Sequence, residues 1–220
     1  MPIGQHRRPV LGSSSSNAVY WQSFREQVFK LIACSIGRLD TGQFHDAEET
    51  DISGEIVRAI EEILDDAGSP DWISRLSVHD DPPVHDPGRH GKRRRRLDLR
   101  IDDGSVSPRQ RYAFEAKRLG PGHGVAPYLG SGGLRLFVDG HYSPDAGEAG
   151  MLGYVQNSTP TTWAEKIATQ IDRRSSALQC DGAWQSASVV EGLHSYRTHH
   201  QRPILGRSIT IFHLLLDFTA

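Results

Sequence analysis

The chain has 220 residues, 24% charged and 37% hydrophobic, with a formal net charge of −2 and 11 histidines. This length fits one domain with a core that needs no disulfide or metal support. A net charge near zero excludes a strongly basic nucleic-acid-binding protein, so a polyanionic partner requires a local basic patch.

Residues 1–17 are rich in Gly and Ser and lack an apolar core of signal-peptide length. They read as a flexible leader, with residues 18–220 as a single domain. Apolar residues at Trp21, Phe24, Val28, Leu31 and Ile32 recur at helical spacing, which predicts a first helix over 20–39. A second helix is predicted over 47–67, closed by Gly68 and Pro70, with the stripe Ile52, Ile56, Ile60, Ile63 and Leu64. A loop rich in Pro, His and Asp follows over 79–91.

Two alternating runs come next, over 96–101 and 112–117, with a turn-rich segment between them. They predict an antiparallel strand pair. Gly120, Gly122, Gly124, Gly130, Gly132 and Gly133 lack the context of a phosphate-binding loop and read as a mobile loop over the site. A short helix is expected over 134–139, a strand or helix over 151–155, and a Thr-capped helix over 162–177. The run over 208–217 is β-branched and apolar and reads as a buried strand. Cys34 and Cys180 have no C-x-x-C spacing, which excludes a paired-cysteine zinc cluster, and two cysteines in 220 residues argue against a disulfide scaffold. No run approaches the ~18 apolar residues of a membrane span, and a cytoplasmic protein is expected.

Side chains alternate faces along a strand. Leu97, Leu99 and Ile101 therefore share one face of the first run and Asp98 takes the other. On the second run Tyr112, Phe114 and Ala116 share a face, and Glu115 and Lys117 lie opposite. If the apolar faces align, Asp98, Glu115 and Lys117 converge. Two carboxylates suit a hard divalent cation. A lysine beside that ion can orient a water, which is the equipment for phosphodiester hydrolysis. On the preceding helix, at ~100° per residue, Ile52, Ile56, Ile60 and Ile63 fall within about 60° of Glu49. Glu48 and Glu55 fall about 100° or more away. Glu49 is thus the acid that points inward, with Glu55 as fallback, and it needs a metal or Lys117 as partner.

Asp98 in RLDLRI and Glu115-Ala116-Lys117 in FEAKRL resemble the motif of the PD-(D/E)xK nuclease superfamily, with Leu97 in place of the usual Pro. The resemblance runs well over residues 48–119 and implies a mixed α/β fold. Its core would be αβββαβ, restriction-endonuclease-like, with a central mixed sheet flanked by helices. It further implies an Mg²⁺- or Mn²⁺-dependent endonuclease with DNA favoured over RNA. Asp98 and Glu115 would bind metal, Lys117 would position the attacking water, and Glu49 would assist. By analogy, the role is genome defence, through restriction or anti-phage immunity, with target choice set by a protein partner or a homo-oligomer.

The run Lys92-Arg93-Arg94-Arg95-Arg96 is the local basic patch that the balanced net charge demands. Together with Arg118, it is expected to contact phosphates. Other readings stay open. Glu115 and Lys117 can form a solvated strand face with Asp98 as a salt-bridge partner, and Glu49 can serve the helix dipole. A non-catalytic nucleic-acid-binding or scaffolding subunit is the alternative function. His194, His199, His200 and His213 read as surface or core histidines rather than a metal cluster. Tyr154 and Gln156 are further residues of interest downstream.

Overall fold

Alternation along one strand, β3 (Gln110–Leu119), splits the apolar residues into two cores. Tyr112, Phe114 and Ala116 enter the first, and Ala113 and Leu119 enter the second. A computed structural model describes residues 14–85 and 88–219, with side chains from Asn17 onward. It is an α/β structure with one seven-stranded mixed sheet between two helical layers.

The first layer is α1 (Ser14–Ile36) and α2 (Glu49–Asp65). Phe24, Val28, Leu31 and Ile32 of α1 and Ile52, Ile56, Ile60 and Ile63 of α2 are buried against the sheet, as their spacing predicts. The first helix begins at Ser14, inside the stretch expected as leader, and residues 1–13 of that stretch lie outside the described residues. The second layer is α3 (Val125–Leu129), α4 (Arg135–Val138) and α5 (Pro160–Arg173). Thr159 caps α5 by accepting from the Thr162 amide at 3.1 Å.

The strands are β1 (Leu76–Asp80), β2 (Leu99–Asp103), β3, β4 (Glu148–Val155), β5 (Gln185–Ser186), β6 (Ser195–Arg202) and β7 (Arg207–Asp217). Their spatial order is β1-β2-β3-β4-β7-β6-β5. The strands β1, β2 and β3 form an antiparallel meander. Next, β4 lies parallel to β3 and β7 parallel to β4. Both β4 and β7 are buried on both faces, which explains their near-continuous apolar sequences. Gly150 of β4 lies opposite Phe114 of β3, and a Cβ there would come within 2.2 Å of the Phe114 ring.

Three expectations need correction. The glycine-rich segment is not a mobile loop. It contains α3, and Tyr128, Leu129 and Leu134 are fully buried. Gly133 packs so tightly that a Cβ would lie 2.3 Å from the Tyr128 carbonyl oxygen. The loop over 79–91 instead begins in β1 and continues as a paired arm. Here Asp81 N donates to Asp98 O, Leu97 N to Pro82 O, and Val84 N to Arg95 O, at 3.3, 3.1 and 2.9 Å. Residues 86 and 87 of that loop lie outside the described residues. Finally, Leu97 does not share a face with Leu99 and Ile101: it precedes the regular strand β2 and enters the second core. The polar segment Ser195–Arg202 is a strand whose inward positions are Thr198, His200 and Arg202. Both cysteines are free, and no described helix is long and apolar enough to cross a membrane.

Candidate active site

Asp98 sits one residue before β2, where the β2–β3 ladder ends at the pair Leu99–Phe114. With no further backbone partner from β2, the Ala116 amide donates to Asp98 Oδ2 at 2.6 Å. The side chain thereby continues the ladder that the backbone ends, and it is tied to the strand carrying Glu115 and Lys117. Glu115 is buried. Its Oε1 lies 3.0 Å from the Lys117 ammonium, and its Oε2 is buried with no hydrogen-bond partner.

Glu49 opens α2 and reaches the same ammonium, with Nζ–Oε1 at 2.7 Å. Its other oxygen accepts from the Arg118 amide at 3.3 Å. The sequence left Glu49 a choice of metal or Lys117, and Lys117 is the partner it meets. Glu55 is engaged elsewhere, in an exposed ion pair with Arg58. The Lys117 ammonium also donates to the Ala116 carbonyl.

Three carboxylates thus face one ammonium in a largely buried site. Burial pushes the Glu115 carboxyl up to about 8; the Asp98 charge adds to the rise and Lys117 opposes it. Burial also raises Asp98, against the pull of Lys117 and the Ala116 amide. For Lys117 burial favours the neutral amine, yet Glu115, Glu49 and Asp98 together outweigh it and hold the ammonium above its ordinary value. Lys117 is therefore a fixed positive charge at neutral pH rather than a base.

Gln156 and Arg118, singled out in the sequence, turn out to support the site rather than meet substrate. Gln156 Nε2 donates to the Phe44 and Ala47 carbonyls, both at 2.8 Å. Arg118 donates to the Ala47 carbonyl at 3.0 Å and pairs with Glu48 at 3.0 Å. These two side chains fix the chain just ahead of α2 and so set where Glu49 stands. Arg118, expected at a phosphate, is committed to this clamp. Tyr142 donates to the Arg96 carbonyl. Burial raises its hydroxyl pKa, and the Glu115 and Asp98 charges raise it further, which puts it beside the acidic centre. No motif marks Tyr142, because it lies in an irregular segment after α4. Tyr154 faces the other core, where its hydroxyl shares a 2.8 Å hydrogen bond with Ser53.

The basic run lies on the arm between β1 and β2. Lys92, Arg93, Arg94 and Arg96 are exposed, and Arg95 is half-buried. Arg96 pairs with Asp81 across the arm. The histidines separate as surface and core. His194 is exposed, while His200 and His213 are fully buried.

The donor set fits a hard cation in one specific way. Glu115 Oε2 is an orphaned buried oxygen, and the centre holds two more carboxylates than ammonium groups. Asp98 and Glu115 are the residues that could hold such an ion. Among the described residues, no three His, Cys, Asp or Glu side chains form a ready-made cage. Mg²⁺ commonly takes only one or two carboxylates and completes its shell with water and substrate phosphate. Comparison with known proteins found no matching family model, no matching curated protein and no matching solved structure.

Proposed function

We propose that this chain is a divalent-cation-dependent nuclease of the PD-(D/E)xK kind, cleaving phosphodiester bonds in DNA. The observation that carries this reading is the junction of β2 and β3. There Asp98, Glu115 with its orphaned oxygen, and the Lys117 ammonium converge beside an exposed arginine-rich arm. The element order adds support. A helix, an antiparallel three-strand meander, then a parallel strand reached through helical segments is the succession the motif implies.

Asp98 and Glu115 would hold Mg²⁺ or Mn²⁺, whose chemistry is to neutralise phosphate charge and acidify a bound water. Lys117 stays protonated, so its part is electrostatic: it orients a water and stabilises negative charge as it develops on the phosphate. Glu49 keeps the ammonium aimed at the centre. Arg93 and Arg94 on the arm would meet flanking phosphates. A genome-defence role with a partner protein or second copy is part of the proposal only by analogy.

A second reading has its own observation. Lys117 already satisfies Glu49 and one oxygen of Glu115, as it would in a closed ion network of a non-catalytic nucleic-acid-binding subunit. Supercoiled plasmid incubated with Mg²⁺ or Mn²⁺ separates the two. The nuclease reading expects nicking or linearisation by the wild type, lost in Asp98→Asn and in Lys117→Ala. Equal cleavage by all three proteins, or none by the wild type, refutes it.

A further inference from the structure

The second face of the sheet is only partly covered. Its apolar core draws on β3, β4 and β7 but on no residue of β1 or β2. On that bare stretch the outward residues include Ser77 and His79 of β1, Arg100 and Asp102 of β2, and Arg111 of β3, with Ser77, Asp102 and Arg111 in one register row and His79 beside Arg100 in the next. Glu115 and Lys117 occupy the same face of β3 by strand alternation, and Asp98, just ahead of β2, is tied beside them through the Ala116 amide. The bare stretch is therefore continuous with the acidic centre. Arg100 stands two residues beyond Asp98, about 7 Å along, and Arg111 four residues from Glu115, about 13 Å along.

Asp102 organises this stretch. Its carboxylate is only 1% exposed. Arg100 holds it through two bonds of 2.8 and 3.3 Å, and His79 Nε2 lies 3.3 Å away. Arg109 and Arg111 each lie 3.9 Å from it and keep 43% and 62% of their side chains in solvent. One carboxylate thus gathers three guanidinium groups, an excess of two positive charges before His79 is counted. A buried acid needs a single arginine for neutrality, so the outer two are surplus to it.

We infer that this face is the track for the phosphodiester backbone of a DNA duplex, with Arg109 and Arg111 as phosphate contacts and Arg100, locked by Asp102, as the floor between them and the acidic centre. This rests on the nuclease reading of the neighbouring centre and extends it. The arm of Lys92 to Arg96 enters the centre from one side, and the Arg100, Arg109 and Arg111 group leaves it on the other. A backbone lying along β2 is then held on both sides of the carboxylates. At ~3.4 Å of rise per nucleotide in each strand, a 13 Å stretch spans roughly four nucleotides.

The test is binding of a fluorescein-labelled DNA duplex in EDTA, read by anisotropy across a salt series, so that no cleavage intervenes. Arg109→Gln with Arg111→Gln leaves Arg100 to satisfy Asp102 and keeps the fold. Lys30→Gln with Arg38→Gln removes the same charge from exposed positions in and just after α1, on the opposite layer. The track expects the first pair to weaken binding roughly tenfold or more and to lower the log–log salt slope by about 2, at ~0.9 per phosphate contact. The second pair keeps wild-type affinity and slope. No change in the first pair, an equal change in both, or no binding by the wild type overturns the inference. Cleavage is scored separately on the same proteins. A wild type that binds with the expected arginine dependence but never cuts in Mg²⁺ or Mn²⁺ refutes the nuclease reading and leaves the track standing. A wild type that cuts while the first pair binds normally does the reverse.

Discussion

Lys117 in β3 and Glu49 at the first turn of α2 form a 2.7 Å ion pair across 68 residues of sequence. The pair joins the helical layer to the strand that carries the acidic centre. Glu49→Gln keeps a hydrogen-bond acceptor but removes the charge that steadies the ammonium. Plasmid turnover is expected to fall roughly tenfold, about 1.4 kcal/mol of transition-state stabilisation, with the circular dichroism spectrum unchanged. Glu49→Ala is expected to cost more, because Lys117 can then swing fully to Glu115. Wild-type single-turnover rates in both variants would reduce Glu49 to a helix-dipole acid.

Glu115 supplies a metal prediction that needs no activity. Without a cation, its buried carboxyl holds a proton up to about 8 because burial and Asp98 both oppose its charge. A cation must displace that proton, so Mn²⁺ affinity is expected to rise with pH up to about 8 and then level off. At a hundredfold excess over Kd, the wild type gains ~2.7 kcal/mol, about 5–10 °C in Tm for a chain of this size. Glu115→Gln is expected to melt higher than the wild type in EDTA at pH 8 and to gain little from Mn²⁺. Thermal melts with and without the ion, at pH 6 and pH 8, read both effects.

Much of this centre was legible in the sequence because its signals are local. Period-two alternation put Asp98 opposite Leu99, and Glu115 and Lys117 opposite Phe114 and Ala116; it failed at Leu97, which lies ahead of β2 and enters the second core. Helical geometry chose Glu49 over Glu48 and Glu55. The failures have physical causes too. In β6 the inward positions are Thr198, His200 and Arg202, so the period is present but carried by polar residues that satisfy one another and nearby carbonyls. In the β1–β2 arm, Pro82 and Pro83 read as breakers. A proline lacks only the N–H, and the Pro82 carbonyl still accepts from Leu97. Arg118 looked like another phosphate contact because its true partners, Glu48 and the Ala47 carbonyl, meet it only through the fold.

That difference between Arg118 and the arm can be measured. Arg93 and Arg94 are exposed at the tip. Arg93→Gln and Arg94→Gln are expected to leave stability unchanged, weaken duplex binding regardless of sequence, and each lower the salt slope by about 0.9. Arg118→Gln is expected to act in the opposite sense. It removes the Glu48 ion pair and one of the two bonds to the Ala47 carbonyl, leaving only Gln156 there, which loosens α2 and costs about 1 kcal/mol of stability, and it lowers cleavage through a displaced Glu49 more than it lowers binding. Urea unfolding beside anisotropy titrations separates the two patterns.

The buried histidines predict acid sensitivity. His213 Nδ1 meets Tyr128 OH at 3.0 Å, and Thr198 Oγ1 bridges His213 Nε2 and His200 Nε2 at 2.8 and 2.7 Å. His200 Nδ1 donates to the Leu178 carbonyl at 2.8 Å. Burial lowers His200 to about 4, opposed by the Leu178 carbonyl, and holds His213 well below its ordinary value. Both rings are neutral in the folded chain, whereas the unfolded chain protonates them near pH 6.5. Their contribution is whole above pH 6.5 and drains away as pH falls toward 4. For His200 alone the loss is about 3 kcal/mol. Glu115 works the other way over part of this range, since its raised folded pKa makes stability fall as pH rises from 4.5 toward 8. The clean measurement is therefore urea unfolding between pH 4 and 7 in a Glu115→Gln background, where the rise with pH should emerge at full size. Adding His200→Gln to that background should flatten the slope by up to about one proton's worth, ~1.4 kcal/mol per pH unit, since His213 stays buried and keeps its own contribution. An unchanged slope would mean that the histidines titrate alike in the folded and unfolded chain, despite the network that encloses them.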